Sequence, residues 1–295
     1  VSQPHVLARF CFEVGGLAVA VRAATDADAF DSEAAYQPFV TARQPDVSLT
    51  AHFGALPGGE LGEIQYDSQG VWRLYKHTSG WAVAMQSAAM PSGPYQVAYF
   101  CEDFLGGEIY TSRRHFAAHV CPFPLRYPLA EVLMINLLAR QRGLLVHAFA
   151  VSDSGRGLLF AGVSTAGKST SARLWRDRPG VTLLSDDRVV LRPGTDGRFW
   201  IYGTPWHGDA GVASPHGVPL DEIFILEHAS CNKAVRLSPL QAVQKLLVRA
   251  FPPLWDAAGM DFTLSLLAKV CSTRPCYTLG FVPDARVVDY VRSIR

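Results

Sequence analysis

The stretch that decides the fold is Leu158-Leu159-Phe160-Ala161-Gly162-Val163-Ser164-Thr165-Ala166-Gly167-Lys168-Ser169-Thr170. Its first four residues are an apolar run of strand length, bounded by glycine. Residues 162–169 match G-x-x-x-x-G-K-[ST], a loop whose backbone N–H groups curl around phosphate oxygens. The residues after it, Thr170 to Asp177 with Ala172, Leu174 and Trp175, read as a helix. A helix starting there would turn its positive end toward a bound anion. Strand, glycine loop and helix in that order predict an α/β domain that binds a nucleotide. Gly162, Ser164, Thr165, Ala166, Gly167, Lys168, Ser169 and Thr170 would line the phosphates. Lys168 would reach the β and γ phosphates, and the Ser169 hydroxyl would ligate Mg²⁺.

On the N-terminal side of that motif, Leu144 to Val151 reads as a strand carrying His147, and Asp153 to Gly157 as a turn. A single His on an apolar strand is commonly a satisfied core residue. Beside the loop strand it would instead lie near Asp186, tuning that carboxylate or binding phosphate. On the C-terminal side, Leu183-Leu184-Ser185-Asp186-Asp187 sets two carboxylates at a strand end, where metal ligands and catalytic bases sit in such folds. Adjacent residues of an extended chain point to opposite sides. The two Asp therefore have different jobs, one as base toward a hydroxyl and the other supporting the metal, or else they form a polar turn with Asp187 paired to Arg188. Tyr202-Gly203-Thr204-Pro205-Trp206-His207-Gly208-Asp209 reads either as an active-site loop presenting His207 or Asp209 to a metal or acceptor, or as a turn packed by Trp206. Arg236, Lys245 and Arg249 are further basic residues that a γ-phosphate could meet.

Further strands are expected over Val181 to Leu184, Val189 to Arg192, Phe199 to Tyr202, Glu222 to Leu226 and Cys276 to Phe281. Ser238-Pro239 opens a helix that Pro252-Pro253 ends, and Asp284 caps a last one. Before the α/β part, Pro128 and Gly143 bracket a helix that is apolar nearly all round, expected to be buried between two halves. The first part of the chain is different. Val6 to Val14, Leu17 to Ala23, Val47 to Phe53, Val71 to His77, Trp81 to Gln86 and Tyr95 to Cys101 are β-rich runs separated by Gly, Pro and Ser, which predicts an antiparallel sheet or small sandwich. The expected organisation is a β-rich domain over 1–120, which would recognise an acceptor, and an ATP-binding catalytic domain over 121–295.

Composition narrows the function classes. The 295 residues carry 27 Lys plus Arg against 26 Asp plus Glu, and 49% are hydrophobic. That near-neutral balance argues against a nucleic-acid binder. No apolar run approaches the ~18–20 residues of a membrane helix, and the first 25 residues lack a charged start followed by an apolar core, so a cytoplasmic chain without membrane attachment is expected. Six cysteines, none in a C-x-x-C pair, give no zinc pattern.

The order His147-Ala148, a turn with Gly157, the apolar strand, the phosphate loop from Gly162 to Ser169 and Asp186-Asp187 resembles the catalytic domain of the HPr kinase/phosphorylase family. The resemblance covers roughly residues 125 to 295, and extends to the broad group of HPr kinase-related bacterial proteins, some of which phosphorylate peptide precursors, lasso-peptide precursors included. It implies a fold akin to phosphoenolpyruvate carboxykinase and transfer from ATP, with Mg²⁺, to a serine-type hydroxyl. By that resemblance Asp186 is the proton acceptor assisted by His147, Lys168 holds phosphate, and Ser169 with Asp187 serves Mg²⁺. A homo-oligomer is also implied. Thr170 stands where those kinases usually have Glu, and their metal-binding Glu falls near Trp200, so Asp209 is the candidate substitute. The acceptor expected is a peptide or protein Ser/Thr. A small-metabolite kinase of the same fold and a non-catalytic nucleotide sensor are the alternatives.

Overall fold

A computed structural model describes residues 6–88, 90, 93–116, 121–163 and 166–294. Ser164 and Thr165, both expected to line the phosphate loop, lie outside the described residues. The chain is mixed α/β, dominated by two large mixed sheets, and divides into two compact units, Val1–Leu137 and Leu138–Arg295. Among the described residues no helix is long and apolar enough to cross a membrane.

The first unit contains β1 (Val6–Leu7), β2 (Arg9–Val14), β3 (Leu17–Ala23), β4 (Phe30–Asp31), β5 (Val47–Gly54), β6 (Glu63–Asp67), β7 (Trp72–His77), β8 (Gly80–Met85), β9 (Gln96–Phe100) and β10 (Gly106–Ser112). Eight of these form one sheet in the order β2-β3-β5-β10-β9-β8-β7-β6, and β1 pairs with β4. The expectation of an antiparallel sheet or sandwich is corrected here. β5 runs parallel to both β3 and β10. The long passage from β3 to β5, through two short 3₁₀ turns, gives the chain room to return in the same direction, which a tight hairpin does not. One side of this unit is an aromatic cluster, with Tyr36 at 5.0 Å from Phe12 and 4.8 Å from Phe123 between ring centroids. Helix α1 (Leu129–Ala139) follows, and Leu129, Val132, Leu133, Met134, Leu137 and Leu138 are all buried, as its all-round apolar sequence requires.

The second unit holds β11 (Leu144–Asp153), β12 (Arg156–Ala161), α2 (Lys168–Trp175), β13 (Val181–Ser185), β14 (Arg188–Pro193), β15 (Phe199–Tyr202), β16 (Gly217–His228), β17 (Lys233–Arg236), α3 (Pro239–Leu247), α4 (Ala257–Thr273), β18 (Cys276–Phe281) and α5 (Arg286–Ser293). The sheet order is β12-β11-β14-β15-β16-β18-β17, and β12 also pairs with β16. Five strands, β12-β11-β14-β15-β16, therefore close into a ring. The two longest, β11 and β16, make this possible by changing partner along their length. β11 pairs with β14 through Leu144–His147 and with β12 through Ala148–Asp153.

Both faces of the central strands are covered, which explains why they read as unbroken apolar runs. Ala148, Ala150, Leu159, Ala161, Ile223 and Ile225 pack in one core with Leu246, Leu267 and Val270 from α3 and α4. The alternate residues Phe149, Val151, Leu158, Phe160 and Phe224 pack in a second core with Trp175 of α2 and Val287, Val288 and Val291 of α5. Within that second core four rings stand in one register row. Phe149, Phe160, Phe224 and Tyr277 are paired residue to residue across β11, β12, β16 and β18. Their centroids are 5.2, 5.1 and 5.4 Å apart, each pair stacked. Trp175 lies 5.8 Å from Phe160 and seats α2 on this row. Because Phe160 touches a ring on each side and the tryptophan above, Phe160→Ala should lower the unfolding free energy by about 3–5 kcal/mol. Denaturant titration measures this, and a loss below 1 kcal/mol would contradict the packing role.

Candidate active site

The phosphate-loop motif sits between β12 and α2 as its sequence predicts. Gly167 has φ 95°, and a Cβ there would stand 2.5 Å from Cζ of Phe281. Glycine is thus required twice, for the left-handed backbone and for the ring of β18 pressed against the loop. Lys168 is buried at 6% exposure, with Nζ donating to the carbonyl oxygens of Gly162 at 3.0 Å and Val163 at 3.1 Å. Burial pulls its ammonium below the usual lysine range. Asp187 and Asp186 oppose that fall, while the charges of Arg188 and Arg249 add to it. Ser169 and Thr170, half-buried in the first turn of α2, donate to and accept from no described side chain. Ala166 is buried, and its N–H donates to Val163 O at 3.1 Å.

The two aspartates are built into an interrupted strand. Ala150 pairs with Ser185, and three residues along either strand His147 pairs with Arg188. β13 and β14 therefore continue one line along β11, broken only at Asp186-Asp187. The break sends the two carboxylates to unlike environments. Asp186 is 1% exposed, and its oxygens accept backbone N–H groups from Gly208 at 3.0 Å, Ala210 at 2.8 Å and Val212 at 3.2 Å. A Cβ on Gly208 would fall 3.0 Å from that carboxylate, so glycine is what lets the loop close over it. Asp187 stays partly open at 27% side-chain exposure. His147 Nε2 donates to its Oδ1 at 2.9 Å, and Arg188 Nη1 to its Oδ2 at 2.7 Å.

Sequence reasoning expected His147 beside Asp186 as its tuning partner. The structure places it on Asp187. His147 shares the alternation of Phe149 and Val151, which face the core beneath α2, and the Asp186 oxygens are already filled by backbone donors. Of the two carboxylates, Asp186 is the enclosed one, held by three backbone amides, and Asp187 is the more open one. The loop after β15 is a packed turn with an exposed tip. Trp206 is 7% exposed, while His207 and Asp209 are exposed. His207 Nδ1 lies 3.1 Å from Gly208 O, and Arg173 of α2 and Arg176 just after it donate to the carbonyls of Asp209 and Ala210 at 3.3 and 2.6 Å. Among the described residues no three His, Cys, Asp or Glu side chains gather as a metal-holding group.

Of the three basic residues singled out beyond the loop, Arg236 is held by Tyr277 OH at 3.1 Å and Lys245 by Glu227 at 2.8 Å. Arg249 is the one whose charge reaches Lys168, and burial lowers its own pKa. Arg188 and Phe251 were not read as site residues. The Arg188 guanidinium lies 4.4 Å over the Phe251 ring, which is also 6.2 Å from His147. Arg188 follows the aspartate pair directly, so its position was a usable signal. Phe251 carried none, since it arrives through long-range pairing. The assembled site is the partly open Asp187 carboxylate with His147, Arg188 and the charge of Lys168, which Arg249 also reaches, beside a glycine loop at a helix N-terminus.

No protein-family model matches this chain, and a comparison with curated proteins finds no match.

Burial raises the Asp187 carboxyl, but the hydrogen bond from His147 and the charges of Arg188, His147 and Lys168 overcome it and hold the group below its usual range. A carboxyl depressed by folding stabilises the fold fully above its unfolded value, about pH 4, and that contribution is lost as pH falls through the lower folded value. Asp187→Asn should therefore lower the melting temperature at pH 7 and flatten its decline from pH 5 to pH 2. Melts of both proteins across that range test this, and parallel curves would count against the linkage.

Proposed function

We propose that this chain is an ATP-dependent, Mg²⁺-requiring phosphotransferase that moves the γ-phosphate to a hydroxyl, the acceptor being a Ser or Thr of a peptide or protein. The observation that carries the reading is the charge arrangement. Lys168 and Arg188 act on one partly open carboxylate, Asp187, beside a phosphate-loop motif, and Arg249 adds a third positive charge that reaches Lys168, an excess that suits a polyphosphate. The peptide or protein acceptor rests on the resemblance to HPr kinase-related proteins.

In this reading the loop amides and Lys168 hold the β and γ phosphates, and Arg249 and Arg188 face the charge that spreads over the transferring oxygens. Asp187 takes the base role expected of Asp186. The acceptor oxygen attacks the γ phosphorus, the bond to the β-phosphate oxygen breaks with ADP leaving, and the hydroxyl proton passes to Asp187. His147 donates to that carboxylate and keeps it ionised and oriented. Ser169 would supply a hydroxyl ligand for Mg²⁺, whose charge would offset that of the phosphates. The donor set fits an ion that keeps waters and phosphate oxygens around it and needs few protein ligands. With Asp187 on the proton and Asp186 on the backbone, no protein carboxylate is assigned to the ion.

The test is the fate of labelled γ-phosphate from Mg-ATP, incubated with lysate from the protein's own source and separated by size. Label in a peptide or protein, absent with Asp187→Asn, is the expected result. Label in a small metabolite would move the acceptor class, and ATP binding without transfer in any fraction would favour a nucleotide sensor. Lys168→Ala should weaken ATP binding at least tenfold. Ser169→Ala should raise the Mg²⁺ requirement, while Asp187→Asn leaves it within twofold. Because the His147 hydrogen bond helps depress Asp187, His147→Ala should move the acid limb of the pH–rate profile upward. An unmoved limb would remove His147 from the mechanism.

A further inference from the structure

The first unit contains a cavity of about 310 Å³, remote in sequence from the phosphate loop. Val71, Met90, Phe116 and Phe123 line it with apolar surface, and Gln96 and Thr111 are its buried polar residues at 5% and 2% exposure. Gln96 is the informative one. Its Nε2 donates to Thr111 Oγ1 at 2.9 Å and to Pro124 O at 2.9 Å. Pro124 O can only accept, so the nitrogen must be at that end, and both amide hydrogens are used. The other end, Oε1, accepts no hydrogen bond from any described residue. Gln96 lines the cavity, and Oε1 is the polar atom its side chain has left to offer there. The neighbouring Tyr95 ring meets Phe116 edge-on at 6.4 Å, and burial raises the Tyr95 phenol while Arg126 opposes that rise.

A largely apolar cavity at the small end of ligand-pocket size, in which Gln96 Oε1 is a buried acceptor left without a described donor, is complementary to a ring-sized apolar group bearing one N–H or O–H. We propose that this cavity is a binding site for an aromatic group with a single hydrogen-bond donor, of the indole or phenol type, whose donor meets Gln96 Oε1. The free molecule and the side chain of a peptide present the same chemistry. The inference does not rest on the phosphotransfer reading, since none of its residues belongs to the phosphate-loop site.

The test titrates the full chain with indole and, separately, with benzofuran, which replaces the N–H by a ring oxygen of similar shape. Indole should bind saturably at one site, and benzofuran at least tenfold more weakly, because it leaves the buried acceptor unpaired. Val71→Trp, at a rim position 45% exposed, should fill the cavity and remove indole binding without moving the melting temperature. Gln96→Leu should remove the discrimination between the two rings, but it also breaks two buried hydrogen bonds, so the Val71 variant carries the result if that protein fails to fold. N-acetyl-tryptophanamide binding tighter than indole would identify a peptide side chain as the occupant, and weaker binding would identify a free small molecule. Equal affinity for indole and benzofuran, no saturable binding of indole, or unchanged binding in the Val71→Trp protein would each overturn the proposal.

Discussion

The carboxylate of Asp186 is 1% exposed, and among the described residues no side-chain cation bonds to it. Removing such a charge from water costs several kcal/mol unless other donors replace the lost hydration. Here three backbone N–H groups do so, and that requirement shapes the loop over residues 203–212. The loop has to curl so that the amides of Gly208, Ala210 and Val212 converge on one point. Ser214 N–H donates to Leu184 O at 3.1 Å, and Thr204 Oγ1 to Arg188 O at 2.7 Å, which fastens both ends of the curl to the strand bearing the aspartates. Arg173 and Arg176 then tie the same loop to α2. The helix after the glycine loop, the aspartate pair and the loop after β15 are held as one hydrogen-bonded body.

This constraint also divides the labour between neighbouring residues. Asp186 turns inward to order backbone, which leaves Asp187 on the other side of the chain with His147, Arg188 and the charge of Lys168. The strand break at these two residues is what permits it. A regular ladder would have carried both along β11, with each side chain committed to a sheet face. The bonds from His147 and Arg188 to Asp187 are short and charge-assisted, so the carboxylate is fixed in direction as well as ionised.

Much of the second unit was legible because its strands are buried on both faces and so read as apolar runs, from Leu144 onward through Cys276–Phe281. The glycine loop was legible because each of its residue types answers a backbone or charge requirement. Alternation alone announced that Asp186 and Asp187 differ, but not which way round. That is decided by amides contributed from beyond β15, which no local pattern reveals. α4 was missed. Its sequence follows two prolines and mixes Gly259, Thr263 and Val270 into the apolar stripe, lowering helix propensity, and its 17 residues are stabilised by packing on α3 and the sheet. β6 and β10 were missed for the opposite reason: exposed acids in one and a glycine pair in the other hide strands that exist by pairing.

The same reasoning explains how Arg249 and Phe251 reach the site. After α3 the chain forms a three-residue edge on β11. His147 N–H donates to Arg249 O at 2.7 Å, Phe251 N–H donates to Leu145 O at 2.9 Å, and Ala250 bridges Val146 between them. Main-chain bonds thus set the end of α3 against the strand that carries His147, and Pro252-Pro253 prevents the pairing from running on. Once the backbone is fixed there, Phe251 lies under the Arg188 guanidinium, and that stacking restrains the arginine bonded to Asp187. The aromatic ring does no chemistry in this arrangement. It limits where a charge can go, and its place depends on a pairing between segments some hundred residues apart (His147 and Arg249).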